Sequence, residues 1–432
     1  MLTELTRLFT SKLRGESIIL VFCAPFLLFP TVLPLLTLLA LLLLAFGWLR
    51  PFFWRTLPQL PSSPLNLLFL LFSLTWLIAI PVTADPDLTL PKATGLLLGF
   101  AVWRYVLLAV DSEARLWQAT AVFLLLGLGF TGLGVLSTNW LFKIPGITAV
   151  LQTVSPRLLS LPETPELGTH SNQLAATVLL FWPLLLALTM GWRGRWRALT
   201  AVFLLLTTLI LLLTQSRSGW VGAVGGVGLL LVGWGLLLPA SRLRHWLLGS
   251  LAAFAILAVL AVILIGPATL QEWWLNPPLE TAVGSFNSLN FRQTIWPWAI
   301  RAIYDFPFTG TGLGSFRRVG PRLYPIAVPP DYDIAHAHNI FLQVALDLGL
   351  PGLVVYLAML LLLAGLGWQM ARKRGGEKRP LILGLLANLA ALHIYGLADA
   401  LALGAKPGLL LWVNFALLTA AWGLPTACQA ND

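Results

Sequence analysis

Apolar runs of about 20 residues recur along the chain, separated by short polar or basic turns, and each is long enough to cross a bilayer as a helix. They fall near residues 17–30, 31–49, 64–83, 89–110, 116–136, 172–191, 197–214, 218–238, 246–266, 351–369, 381–399 and 408–425. The pattern predicts an all-α, polytopic helical membrane protein of about twelve spans, a single integral membrane domain over residues 1–432. Pro25, Pro30 and Pro34 interrupt the first two runs and predict a bent hairpin there. Two polar stretches break the pattern, at 137–171 and at 267–350, and a tight turn lies at 214–218.

Charge changes this picture by giving it a direction. Lys and Arg outnumber Asp and Glu, 27 to 17, yet the basic residues sit in short clusters between apolar runs, without the basic helix or aromatic-basic sheet of a nucleic-acid binder, so no nucleic-acid partner is expected. With the N-terminus in the cytoplasm, Arg7, Lys12, Arg14, Arg50, Arg55, Arg115, Arg193, Arg195, Arg197, Arg242, Arg244 and the group from Arg372 to Arg379 all fall inside. Both termini are then cytoplasmic. The segments 137–171, 214–218 and 267–350 face the outer side, which is the periplasm for a bacterial inner membrane. The basic, apolar N-terminal segment resembles a signal peptide but has no small-residue cleavage site, and is read as retained. Cys23 and Cys428 provide neither a disulfide framework nor a metal site.

Candidate chemistry lies in the outer segments. In Leu213-Thr214-Gln215-Ser216-Arg217-Ser218-Gly219-Trp220 the Arg217 guanidinium sits at headgroup depth beside two serines, a good place to hold a phosphate; it equally suits an arginine snorkelling from a tight turn. Arg292 in Asn290-Phe291-Arg292-Gln293 precedes Trp296-Pro297-Trp298, which predicts a helix on or in the outer leaflet. Gly310-Thr311-Gly312-Leu313-Gly314 mimics a nucleotide loop, but no βαβ unit surrounds it, so its glycines are read as allowing close approach to a substrate or a neighbouring helix.

His336 and His338 end the longest polar stretch, and a short helix over 338–348 is expected to follow, lying at the interface and ending at Gly349-Leu350-Pro351-Gly352. One imidazole of this pair suits general-base attack on a hydroxyl at neutral pH, the alternative being two solvated histidines at a helix start. Asp347 reads as the polar face of that short helix. Zinc would need more ligands, with only His170, Asp331, Asp333 and His393 as candidates, so no metal is expected. Thr169-His170-Ser171-Asn172-Gln173 opens another span. His170 and Asn172 there are candidates for contacting a sugar, and Ser171 or Asn172 for capping the helix. His393 and Asp399, six apart in the eleventh run, read as helix-packing or lining groups.

Taken in order, His170-Ser171-Asn172-Gln173-Leu174-Ala175, Ser216-Arg217-Ser218-Gly219-Trp220, Phe291-Arg292, the Gly310–Phe316 loop and His338-Asn339 with Leu342 and Gly349-Leu350-Pro351-Gly352 resemble the O-antigen ligase and polymerase superfamily. The resemblance covers most of the second half. It implies a membrane glycosyltransferase that moves a glycan from undecaprenyl pyrophosphate to a hydroxyl of lipid A-core or of a growing polysaccharide. Transfer in that family is on the outer face, inverting, and free of metal or other cofactor. It implies Arg217 and Arg292 as pyrophosphate ligands and His338 as the base, with His336, Asn339, His170 and Asn172 at the substrate. A cyanobacterial branch labelled as bicarbonate transporters shares the serine-arginine turn, the Phe-Arg pair and the glycine loop, often without the His-Asn pair; anion transport is the alternative function.

Overall fold

The computed structural model describes residues 14–54, 62–140, 145–154, 169–275, 287–326, 334–373 and 378–424. Arg7, Lys12, Arg55, Asp331, Asp333, Arg374 and Cys428 lie outside the described residues. The first half runs α1 (Arg14–Leu28), α2 (Pro34–Trp54), α3 (Asn66–Ala79), α4 (Pro86–Ala109), α5 (Glu113–Ser137), β1 (Thr138–Asn139), α6 (Pro145–Val154) and β2 (Thr169–His170). Then follow α7 (Ser171–Leu179), α8 (Trp182–Gly191), α9 (Gly194–Leu213), α10 (Arg217–Leu237) and α11 (Arg242–Ile265). The chain ends with α12 (Pro267–Leu275), α13 (Asn287–Asp305), α14 (Phe316–Leu323), α15 (Ile340–Lys373), α16 (Lys378–Tyr395) and α17 (Gly408–Gly423).

The molecule is helical, as the 20-residue apolar periodicity requires, and every expected span holds a helix. Seven of the helical stretches are long and apolar enough to cross a membrane, and four shorter apolar helices accompany them. Local sequence sets their starts. Asp85 caps α4 by accepting from the Asp87 amide at 3.1 Å, with Pro86 at the first helical position, and Ser216 caps α10 by accepting from the Gly219 amide at 3.2 Å.

Without a hydrophobic drive between helices in lipid, close packing of small residues and of aromatic groups supplies the contacts. Gly222 and Gly226 of α10 lie directly on Ala391 and Ala387 of α16. Gly99 of α4 receives the Trp412 ring of α17, and Phe69 stacks on Trp103 at 3.8 Å. Arg104, a charge inside a span, is paired with Glu16 of α1. By contrast α11 buries none of its residues and presents its apolar surface all round.

Three differences from the sequence pattern concern where helices break. The 172–191 run breaks at Leu180-Phe181, where Pro183 enters α8, giving two helices in place of one. The short helix expected at the interface is instead buried from Gln343 to Leu348; it is joined to the following span across Gly349, whose φ of 72° breaks the helical geometry. Third, the last expected-span residues, 396–399, leave α16 as a turn, which places Asp399 beyond the helix.

The tryptophan-rich segment forms α13, which packs on the segments around Tyr324 and Ala337. Ile295, Ala299 and Ala302 are buried, the Trp296 indole donates to the Ala337 carbonyl at 3.0 Å, and Trp298 stacks on Tyr324. The glycine loop serves close approach between backbones. Gly310, Gly312 and Gly314 all have positive φ; a Cβ on Gly310 would lie 2.4 Å from the Leu346 carbonyl oxygen, and one on Gly312 would lie 2.8 Å from Thr83 Cα. Thr83, Thr89 and Ser315 tie the loop to the start of α4. Gly310→Ala is expected to destabilise the fold by about 1–3 kcal/mol, read as a lower midpoint of thermal unfolding in detergent; an unchanged midpoint would show that the loop yields freely.

Candidate functional site

The site is built where the N-terminal ends of α7, α13 and α15 meet the C-terminal end of α16. Its centre is Asp399, in the turn after α16, almost wholly buried. One carboxylate oxygen, Oδ1, lies 3.2 Å from His338 Nδ1 and 3.7 Å from His336 Nε2, and accepts from the Ala400 amide at 2.9 Å. The other, Oδ2, accepts from the Asn172 amide nitrogen at 2.6 Å. Sequence reading placed Asp399 in a span as a packing or lining group. Its only signal was an acidic residue retained in an apolar stretch, and the turn that swings it onto the histidines is set by tertiary structure.

The two histidines are not equivalent. His336 Nδ1 accepts from the His338 backbone amide at 3.2 Å, so the ring proton resides on Nε2, facing Asp399. Burial, reinforced by the neighbouring His338, pushes the His336 imidazole down to about 3, so it is neutral at pH 7. His338 directs Nδ1 at Asp399, off the line of a well-aligned hydrogen bond, and meets the Phe291 ring edge-on at 5.2 Å. Its Nε2 is the remaining ring nitrogen. The His338 backbone is left-handed, φ 50°, a conformation L-residues seldom take outside functional turns. Burial alone would raise the Asp399 carboxyl, but the approach of His338, the neighbouring His336 and the Ala400 amide together hold it well below the usual carboxylate range.

Other candidates shape this centre. Asn339 accepts from the Phe341 and Leu342 amides, capping α15, and donates to the Leu397 carbonyl at 3.0 Å, fixing the turn that carries Asp399. Arg292 is mostly buried, its Nε donating to the Ala398 carbonyl at 2.6 Å, one residue from Asp399. His170, rather than Ser171 or Asn172, caps α7: its Nδ1 accepts from the Asn172 amide at 3.2 Å, because Asn172 is committed to Asp399. The Tyr395 hydroxyl donates to the Asn172 carbonyl at 3.0 Å, locking α7 to α16. Arg217 opens α10, whose Gly219 and Gly222 pack on Ala175 and Tyr395, so it stands at the start of a helix of the same group. No contact between Arg217 and the histidines is seen among the described residues.

His336, His338 and Asp399 also bring three ligand-type atoms within 4.8 Å of one another. This set was not among the metal candidates drawn from the sequence. Two imidazole nitrogens and a carboxylate oxygen are donors that zinc accepts, provided His336 gives up its Nε2 proton.

Fold and site together define a multi-pass helical membrane protein carrying a buried histidine–carboxylate centre at one end of its helices. A family model described as O-antigen ligase matches residues 201–357, a stretch that contains Arg217, Arg292, His336, His338 and Asn339. The chain is similar to the O-antigen ligase of Pseudomonas aeruginosa, 30% identical over 172 residues, 38% of this chain and 38% of that protein. It is also similar to the potassium-binding subunit of the potassium-transporting ATPase of Gloeobacter violaceus, 31% identical over 118 residues, 26% of this chain and 20% of that protein. The chain thus spans less than two fifths of the length of either of these relatives.

Proposed function

We propose that the protein transfers a glycan from undecaprenyl pyrophosphate to a hydroxyl of an acceptor, a lipid A-core sugar or a growing polysaccharide. Transfer takes place at the outer face of the bacterial inner membrane, with twelve crossings, both termini cytoplasmic and residues 137–171 and 267–350 outside. The observation that carries this reading is the inequivalence of the two histidines. His336 has both ring nitrogens engaged, whereas His338 shows Nδ1 to Asp399 and keeps Nε2 for an acceptor. A carboxylate behind Nδ1 fixes the tautomer with the lone pair on Nε2 and stabilises the imidazolium that forms.

In this mechanism His338 Nε2 takes the proton of the acceptor hydroxyl while its oxygen attacks the anomeric carbon from the face opposite the pyrophosphate. The bond from that carbon to the phosphate oxygen breaks, its electron pair leaves with undecaprenyl pyrophosphate, and the configuration inverts. Arg217 and Arg292 hold the leaving group; fixed guanidiniums aimed at developing charge contribute roughly 3 kcal/mol each. His336, Asn339, Asn172 and His170 sit beside the reacting groups and keep His338 and Asp399 in register. The test is transfer by reconstituted Arg217→Ala and Arg292→Ala proteins: each is expected to fall about a hundredfold or more, and full transfer by both would remove the pyrophosphate role.

The close-set His336, His338 and Asp399 favour a second reading, a metal centre at the same place. Under the base mechanism, transfer proceeds at full rate in excess EDTA. Loss of transfer on chelation, restored by zinc, would instead assign the three residues as ligands.

A further inference from the structure

Lys92 lies in the second turn of α4, at the end of that helix tied to the glycine loop. It is a lysine in an apolar run, partly buried, and neither a hydrogen bond nor an ion pair within 4.0 Å engages its ammonium among the described residues. A buried cation without a partner is costly and is retained in membrane proteins where it has a function. Its surroundings are built around it. Gly404 packs against the Lys92 carbonyl, so that residues 400–404, the continuation of the Asp399 turn, run directly along this part of α4. A Cβ on Gly314 of the glycine loop would lie 3.7 Å from the Lys92 side-chain stem. A small cavity remains between Lys92, Leu313, Asp347, Leu403 and Gly404.

No carboxylate lies within ion-pair distance of it among the described residues, although Asp347 stands near enough to attract it. Asp347 is the facing carboxylate, but its Oδ1 is occupied by the Gly314 amide at 2.9 Å and by Gln343 Nε2 at 2.8 Å, while Arg317 adds a further positive charge. Lys92 is also close enough to His336 to help keep that ring uncharged. An ammonium with no ion pair within 4.0 Å among the described residues therefore stands on the flank of the histidine–carboxylate centre, reached through α4 and not through the arginine-bearing helices α10 and α13.

We propose that Lys92 is an anion-binding residue of this site, receiving a phosphate or carboxylate oxygen of a substrate as it settles beside His338. The inference rests on the transfer reading above. The anion can belong to the donor, as one of its two phosphates, or to the acceptor, as an acidic group on its sugars.

The experiment uses the full-length protein in proteoliposomes, wild type against Lys92→Gln, Lys92→Arg and the charge-balanced double variant Lys92→Gln/Asp347→Asn. Transfer is measured with donor and acceptor varied separately, and binding of undecaprenyl pyrophosphate is measured directly. A charge-assisted contact predicts that Lys92→Gln raises one KM by about tenfold to a hundredfold, with Lys92→Arg close to wild type and the double variant as impaired as Lys92→Gln. A raised donor KM with weakened lipid binding assigns the phosphates; a raised acceptor KM with lipid binding intact assigns an acidic acceptor group. Unchanged KM values and lipid binding in a folded Lys92→Gln protein would overturn the proposal while leaving the transfer reading intact. If Lys92→Gln does not fold, the double variant carries the test: wild-type KM values and lipid binding there would show that Lys92 only balances Asp347. Wild-type protein without transfer would strike the parent reading instead, and lipid binding would still read Lys92.

Discussion

Removing the His338 imidazole abolishes measurable transfer, with an expected loss of about 10²–10⁴ in kcat. The loss falls on kcat and not on donor KM, because the base acts on the acceptor hydroxyl and does not touch the pyrophosphate. The choice of variant matters, since His338 has a φ of 50°. Alanine there adds left-handed strain of about 1–2 kcal/mol, whereas asparagine tolerates that conformation and carries no base. His338→Asn therefore separates chemistry from folding. A His338→Asn protein that melts like the wild type and transfers at the wild-type rate would assign the base elsewhere.

Asp399→Asn is expected to be nearly as damaging, lowering kcat by about 10³–10⁴. Oδ1 faces His336 Nε2–H, His338 Nδ1 and the Ala400 amide, and Oδ2 accepts from Asn172. An asparagine amide offers two hydrogens to a place furnished with donors on both sides, so it either faces Asn172 donor to donor or turns its NH₂ on His338. The second arrangement pulls the proton of His338 onto Nε2, the wrong tautomer for a base. The variant is measured by transfer rate together with thermal unfolding. A rate within tenfold of wild type would mean that Asp399 serves packing alone.

Much of the fold was legible because bilayer thickness imposes a length on apolar runs, and every run became a helix. What periodicity could not show was where helices break. Gly349, Pro183 and the turn after Tyr395 each end or bend a helix inside what reads as continuous apolar sequence. The histidine pair, Arg292 and Asn172 were visible as polar residues crowded at span ends, and the structure gathers them around one carboxylate. Asp399 was visible only as a packing or lining group and Lys92 not at all, for one physical reason: each is a single charge in an apolar run, and its significance depends on which side chains other helices bring to it. Sequence also left open which histidine is the base. The hydrogen bond from the His338 amide to His336 Nδ1, which favours His338, depends on the left-handed turn and has no sequence signature.

The central claim is that this centre moves a glycan off a lipid pyrophosphate. The most direct measurement is release of undecaprenyl pyrophosphate from a lipid-linked glycan by the purified, reconstituted protein, with and without a panel of lipid A-core and polysaccharide acceptors. Release that requires an acceptor, with the glycan recovered on it in inverted configuration, is the predicted result. No release with any acceptor, from folded protein that instead carries bicarbonate into proteoliposomes, would contradict the account.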